Sequence, residues 1–314
     1  MRRRDGDGAT WMLERTEMLG GEAPPPFLIA SWVTSGDPAH TASVLDSVVA
    51  FVEAAPAAFS TSTVRRQHVA TADGFDVRTR RWDERAYRTA VDALTEPESL
   101  LILTWDDEVS LDVNRDEPSG RWRWLLVALP DDDALDAAAE AWSSLLPLLA
   151  EHGSVDWAGI YHDQIPATPA TPHEEYLGIE GGAETAAQHP RHYCWSNLLT
   201  AEHVAGLGGP AQLTRRAAAE GLRALPVSGS AVVVDTGNPL SRFDDDRLAA
   251  VKRLLDPVLR HEPYIWYAGL PLRVVKEPGT AYRRIPPEIA EPWFEDDPAM
   301  PSDGGTARQL VPDD

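Results

Sequence analysis

Three pieces of one stretch decide the fold: HYCWSNLLTAEHVAGLGGPAQLTRR (192–216), LRALPVSGSAVVVDTGNPL (222–240) and FDDDRLAAVKRLLDPVL (243–259). The first reads as a strand around Trp195, with His192 and Cys194 on one face and the tryptophan on the other. It runs on into a helical turn that stops at Gly206–Gly209. Glycine ends helices because it accepts a left-handed conformation, and Pro210 suits the first position of the next helix. The second piece supplies the apolar strand AVVV. The third is an aspartate-led helix whose Leu248, Val251, Leu254, Leu255, Val258 and Leu259 recur on one face.

The same grammar recurs upstream. FLIASWV (27–33) is a buried strand by its continuous apolar, β-branched and aromatic content. Asp37-Pro38 opens a helix with Val44, Val48, Phe51 and Val52 on one face, and Pro56 ends that pattern. From Leu100 to Leu129 the spacing predicts a three-stranded antiparallel meander, in which Trp122 and Trp124 project from one face into the core. DDDALDAAAEAWSSLLPLLAEH (131–152) predicts one helix with an aspartate cap and a stripe of Leu135, Ala138, Ala139, Trp142, Leu145, Leu146 and Leu149. SVDWAGIYHD (154–163) predicts a strand. The helices at 131–152 and 243–259 each follow an apolar strand, carry a triple aspartate and hold a late proline (Pro147, Pro257). Internal duplication explains this, and so does ordinary helix grammar.

The expected organisation is a polar lead at 1–26, an α+β domain at 27–262 and a proline-rich, acidic tail at 263–314. The domain would hold antiparallel sheet with amphipathic helices packed on one side. Its two β-rich halves, 27–162 and 191–262, would be joined by a loop at 163–190. The Pro, Thr, Gly and Glu content of that loop predicts no contribution to the core.

Composition narrows the function. The chain has 314 residues, 43% apolar, with eleven tryptophans, enough for a substantial packed core. No apolar run approaches the length of a membrane span, and the N-terminus lacks the apolar segment of a signal peptide. The single cysteine, Cys194, rules out an internal disulfide and suits a reducing cytoplasm. Fifty Asp and Glu against 28 Lys and Arg give a net charge of −22. That field repels nucleic-acid phosphates and anionic membranes and attracts basic proteins. Only Lys252 and Lys276 among the basic residues are lysine, a usage that matches a GC-rich bacterial genome.

No cofactor or metal is expected. His189, His192 and Cys194 form H-x-x-H-x-C, short of the four ligands of a closed zinc site. Cys194 as a nucleophile competes with the ordinary role of a free cysteine as a small buried apolar residue. Tyr161-His162-Asp163 places its acid and base on diverging sides of a strand. GLGGP lacks the strand before it and the GK[ST] after it that a phosphate loop needs. The acidic groups of the meander (Asp106, Asp107, Glu108, Asp112, Asp116 and Glu117), and those at Asp131 to Asp133, fall mostly where turns and caps are expected. They lack the order of a calcium loop. The six meander acids are the candidate partner-binding residues.

In order along the chain, the pattern resembles bacterial immunity proteins of polymorphic toxin systems, of the immunity protein family fifty-two type and the related type VI secretion immunity family. The carriers are FLIASWV with its helix, LTWDDEVSLDVNRDEP leading to WLLVALP, and DALDAAAEAWSSLLPLLAEHGSVDWAGIYHD. CWSNLLTAEHVAGLGG and LPVSGSAVVVDTGNPL, the latter as a strand pair, complete the set. They span 27 to 260 and are hydrophobic patterns rather than catalytic signatures. The resemblance implies a cytoplasmic, non-catalytic α+β protein that binds and blocks a toxin, here a basic one. An adaptor of a defence or secretion assembly is the second expectation, and a hydrolase using Cys194 or His162 the third.

Overall fold

Strand β1 (Phe27–Thr34) is sealed on both faces, with every residue from Leu28 to Thr34 buried. A strand with one wet face alternates apolar and polar residues. This one has no wet face, so both faces are apolar apart from the buried Ser31 and Thr34. In the computed structural model the described residues are 27–54, 64–71, 74–76, 100–105, 109–116, 119–128, 130, 134–163, 174, 183–228, 231–260, 274–275 and 283–284. The expected lead at 1–26 and most of the tail lie outside them.

After β1 come helix α1 (Pro38–Ala54) and strands β2 (Val64–Thr71) and β3 (Gly74–Asp76). The meander follows as β4 (Leu100–Trp105), β5 (Val109–Asp116) and β6 (Arg121–Ala128). Helices α2 (Leu135–Ser143) and α3 (Leu145–Glu151) lead to β7 (Val155–Asp163) and β8 (Ser196–Leu199). The remainder is α4 (Ala201–Gly206), α5 (Pro210–Ala219), β9 (Arg223–Pro226), β10 (Val232–Asp235) and α6 (Asp245–Leu255). A separate short ladder joins β11 (Val274–Val275) to β12 (Arg283–Arg284).

The main sheet has ten strands in the order β3-β2-β4-β5-β6-β1-β7-β8-β10-β9, and every neighbouring pair is antiparallel. Its class is α+β, as expected. The two expected halves share this sheet, since β7 pairs with β8. Side chains alternate across it. Leu28, Ala30, Trp32, Trp122, Trp124, Leu126, Ala158 and Ile160 look into a large core that also takes the apolar stripes of the helices. Trp142, Leu145, Leu248 and Leu255, the expected helix-face residues, are all in it.

The opposite face carries a smaller core of Ile29, Val33, Trp157, Tyr161, Ala183, Ala186 and Cys194. A 3-10 turn at Ala183–Thr185 and the coil after it pack on that face. This corrects the expectation for the loop at 163–190: Ala183 and Ala186, two small residues in a polar stretch, are fully buried. Glu174 is buried too, in an ion pair with Arg191 (Nε–Oε1 2.7 Å, Nη2–Oε2 2.6 Å).

Two further expectations change. The helix predicted over 131–152 is two helices, broken at Ser144. Pro147 removes the N–H that would reach the Ser143 carbonyl, and its ring crowds that oxygen. The cap of α2 is Ala134, with no side-chain hydrogen bond, and Asp131 to Asp133 lie outside the described residues. By contrast Asp244 does cap α6, accepting from the Arg247 N–H at 3.0 Å. His192 to Cys194 are coil, not strand, because Asn197 folds the chain back. Its Oδ1 accepts from Cys194 N and its Nδ2 donates to Cys194 O, both at 2.8 Å. The predicted opposition of Cys194 and Trp195 holds all the same: they belong to the two different cores.

Candidate functional site

The meander places its acids unevenly. Asp106, Asp107, Glu108 and Glu117 lie outside the described residues. Asp116 ends β5 opposite Arg121 of β6. Asp112 sits in neither turn nor cap but in the middle of β5, between Ile102 of β4 and Leu125 of β6. The cause is strand alternation: Val109, Leu111 and Val113 enter the large core, so Ser110, Asp112 and Asn114 share the opposite face.

Asp112 is half-buried, and its Oδ1 is sealed from solvent with no hydrogen bond. Burial pushes its carboxyl from 3.8 up to about 7. A carboxylate mid-sheet without a donor is costly unless something supplies one.

A second polar group gathers where α1 begins and β7 starts. Asp37 Oδ1 caps α1 by accepting from His40 N at 2.8 Å. The His40 Nε2 bonds the Ser154 hydroxyl, and His152 Nε2 bonds the Ser47 hydroxyl at 3.0 Å. The two imidazoles meet edge to face, 6.0 Å apart. Desolvation, then the nearby His40, holds His152 below the usual histidine range, against a smaller opposing effect from Glu151. Next to them Arg121 Nε bonds Asp156 Oδ2 at 2.6 Å, and Ser35 donates to the Ser154 carbonyl. His40 and Ser154 pair as a base and a hydroxyl would, but neither the backbone cap at Asp37 nor the Ser35 bond orients the imidazole. The contacts pin α1 to the β7 entrance.

The other sequence candidates disperse. His189 Nδ1 meets the Val258 carbonyl at 2.9 Å, His192 packs edge-on against Tyr161, and Cys194 Sγ lies over Gly159. Among the described residues no group of three His, Cys, Asp or Glu is placed to hold a metal ion. Cys194 is fully buried, and burial raises its thiol well above its ordinary value, which opposes the thiolate a nucleophile needs. His162 faces Phe243 while Tyr161 faces the smaller core, so the pair diverges along β7. The side chain of Asp163 lies outside the described set. Gly208 and Gly209, both at positive φ, end α4 and start α5, with Pro210 at its first turn.

Three features went unread in the sequence. VRRQHVAT at β2 is a strand that lacks apolar–polar alternation, since Arg66 and His68 fall at the same alternating positions as Val64 and Ala70, and so it leaves no period-two signal. T-x-x-H at Thr200 and His203 is a capping box with histidine in the usual Glu position, and burial holds that His203 down at about 4. The Glu174–Arg191 pair joins residues 17 apart and leaves no local pattern.

No protein-family profile and no curated protein matches this chain. Among solved structures it is similar to the Pseudomonas aeruginosa type VI secretion system (T6SS) protein PA0821, with a TM-score of 0.50 at 12% identity. The likeness covers 74% of this chain and 73% of that one. At that identity it is a likeness of fold, and the fold it defines is an antiparallel α+β one found in a T6SS protein. Among the described residues no helix is long and apolar enough to cross a membrane.

Proposed function

We propose that this protein is a non-catalytic, acidic binding protein of a type VI secretion context, an immunity protein that neutralises a cognate toxin in the cytoplasm. The observation that carries it is the shared fold with a T6SS protein over about three-quarters of both chains. The net charge of −22 supports a basic toxin domain as the partner, because such a field speeds encounter with a cationic surface. The sealed thiol of Cys194 and the divergent Tyr161–His162 geometry favour binding over hydrolysis.

The test is capture of the partner from the native host with the tagged full chain, followed by co-expression. A captured basic toxin whose lethality disappears when this chain is present supports the reading. Capture of a structural secretion component, with no rescue from any neighbouring toxin gene, replaces it with an adaptor role, which the same fold likeness also fits.

A further inference from the structure

Among the described residues the Oδ1 of Asp112 has no hydrogen-bond partner in the sheet that holds it. Its neighbours across the strands are Ile102 and Leu125, and neither can donate a hydrogen bond. Arg123, one diagonal step away on β6, lies directly opposite Asn114, and with the Asn114 amide turned it donates to that side chain at 3.2 Å. Arg121 is taken by Asp156. Glu184, on the turn that packs over β6, is exposed and adds negative charge. The Oδ1 of Asp112 is sealed without a hydrogen-bond partner, while the residue as a whole is only half-buried, so the carboxylate keeps unfilled acceptor capacity within reach of an incoming donor.

We propose that the β5 face carrying Ser110, Asp112 and Asn114 is a socket for one cationic side chain, an arginine guanidinium, of a basic protein partner. This rests on the binding reading above and gives it an anchor. A desolvated carboxylate that gains a charge-assisted hydrogen bond only on binding holds the complex together, whereas rim acids mainly speed its formation. Planar guanidinium fits a carboxylate edge better than the round ammonium of lysine does. The apolar Ile102, Leu125 and Val127 around the site would cover the stem of the inserted side chain.

The probe is N-acetyl-arginine amide, titrated into the full chain while the aspartate carboxyl carbons are followed by NMR at about pH 8, above the Asp112 value of about 7. The expected result is a saturable change at Asp112 with half-saturation about tenfold below that of the exposed Asp46, a difference of about 1.4 kcal/mol. It should vanish at about pH 5, where Asp112 is protonated. Tetramethylammonium at matched ionic strength should not reproduce it. An Asp112 carboxyl that does not respond, that saturates no earlier than Asp46, or that responds equally to tetramethylammonium overturns the socket. That outcome leaves toxin capture standing as a separate result, and failed capture with a responsive Asp112 would leave the socket standing without the toxin.

Discussion

Trp32 on β1 and Trp124 on β6 lie directly opposite each other, their rings stacked with centroids 5.5 Å apart and planes within 12°. The Trp124 indole N–H donates to Thr34 Oγ1 at 2.9 Å, so one ring both fills the core and ties down the end of β1. Replacing Trp124 by Ala is expected to cost about 3–5 kcal/mol, since the cavity left by so large a ring closes only in part. A double-mutant cycle with Trp32→Ala should give a coupling of about 1 kcal/mol, the usual worth of an aromatic pair. Denaturant midpoints of the four proteins measure both, and strict additivity would show that the stacking contributes nothing of its own.

Gly159 is a second place where packing leaves no freedom. A Cβ there would collide with Cys194 Sγ and come within 2.9 Å of Trp157 Cζ2. Gly159→Ala should therefore destabilise by about 1–3 kcal/mol, and adding Cys194→Ala should return part of the loss. The native thiol should resist alkylation until the chain unfolds, because it is fully buried and held protonated. Rapid labelling under native conditions would contradict this packing.

Asp112 sets one pH dependence. Its folded value of about 7 exceeds its unfolded 3.8, so the folded state binds more protons between those values. Stability linked to this group is present below about pH 4 and declines as pH rises through about 7. Asp112→Asn, which cannot ionise, should raise the unfolding free energy at about pH 8 by at least about 1 kcal/mol. At about pH 4 it should change little. Equal effects at both pH values would remove burial of charge as the cause.

His152 works in the opposite direction. Its folded value lies below the ordinary 6.5, chiefly through desolvation and then through His40, so the unfolded state takes up the proton more readily. Stability from this site is complete above about 6.5 and falls as pH drops below it. A His152→Gln variant, which keeps a polar side chain near Ser47, should flatten the acid limb of the melting profile between about pH 6.5 and 5. An unchanged slope would assign that limb elsewhere.

How much of this was legible depended on the range of the interaction that fixes each element. α6 could be read because its Asp244 cap and its Leu248, Val251 and Leu255 stripe lie within a few residues of one another. The meander could be read because alternation and turns are local. The break at Ser144 was foreshadowed by Pro147, yet the stripe on both sides of it is continuous and masked the boundary. The role of 183–194 could not be read, since alanines become core only when Trp157 and Tyr161 lie beneath them. Asp112 was visible as an acid in an acidic run. Its burial depended on the pairing of β4, β5 and β6, which places it between Ile102 and Leu125. Of the candidate site, the sequence located the strand, whereas the half-burial of Asp112 within it follows from strand pairing that has no local signature.

The position of β1 has a consequence for how the chain is made. It is the first described strand to leave the ribosome, yet both its neighbours, β6 and β7, come much later; Trp124 reaches Thr34 from 90 residues downstream. Until then a segment apolar on both faces has no partner for either edge. Contacts of such long separation slow folding, and an unpaired apolar strand is what associates with other chains in the meantime. A strand at the centre of the finished sheet is thus among the last to gain its partners during synthesis.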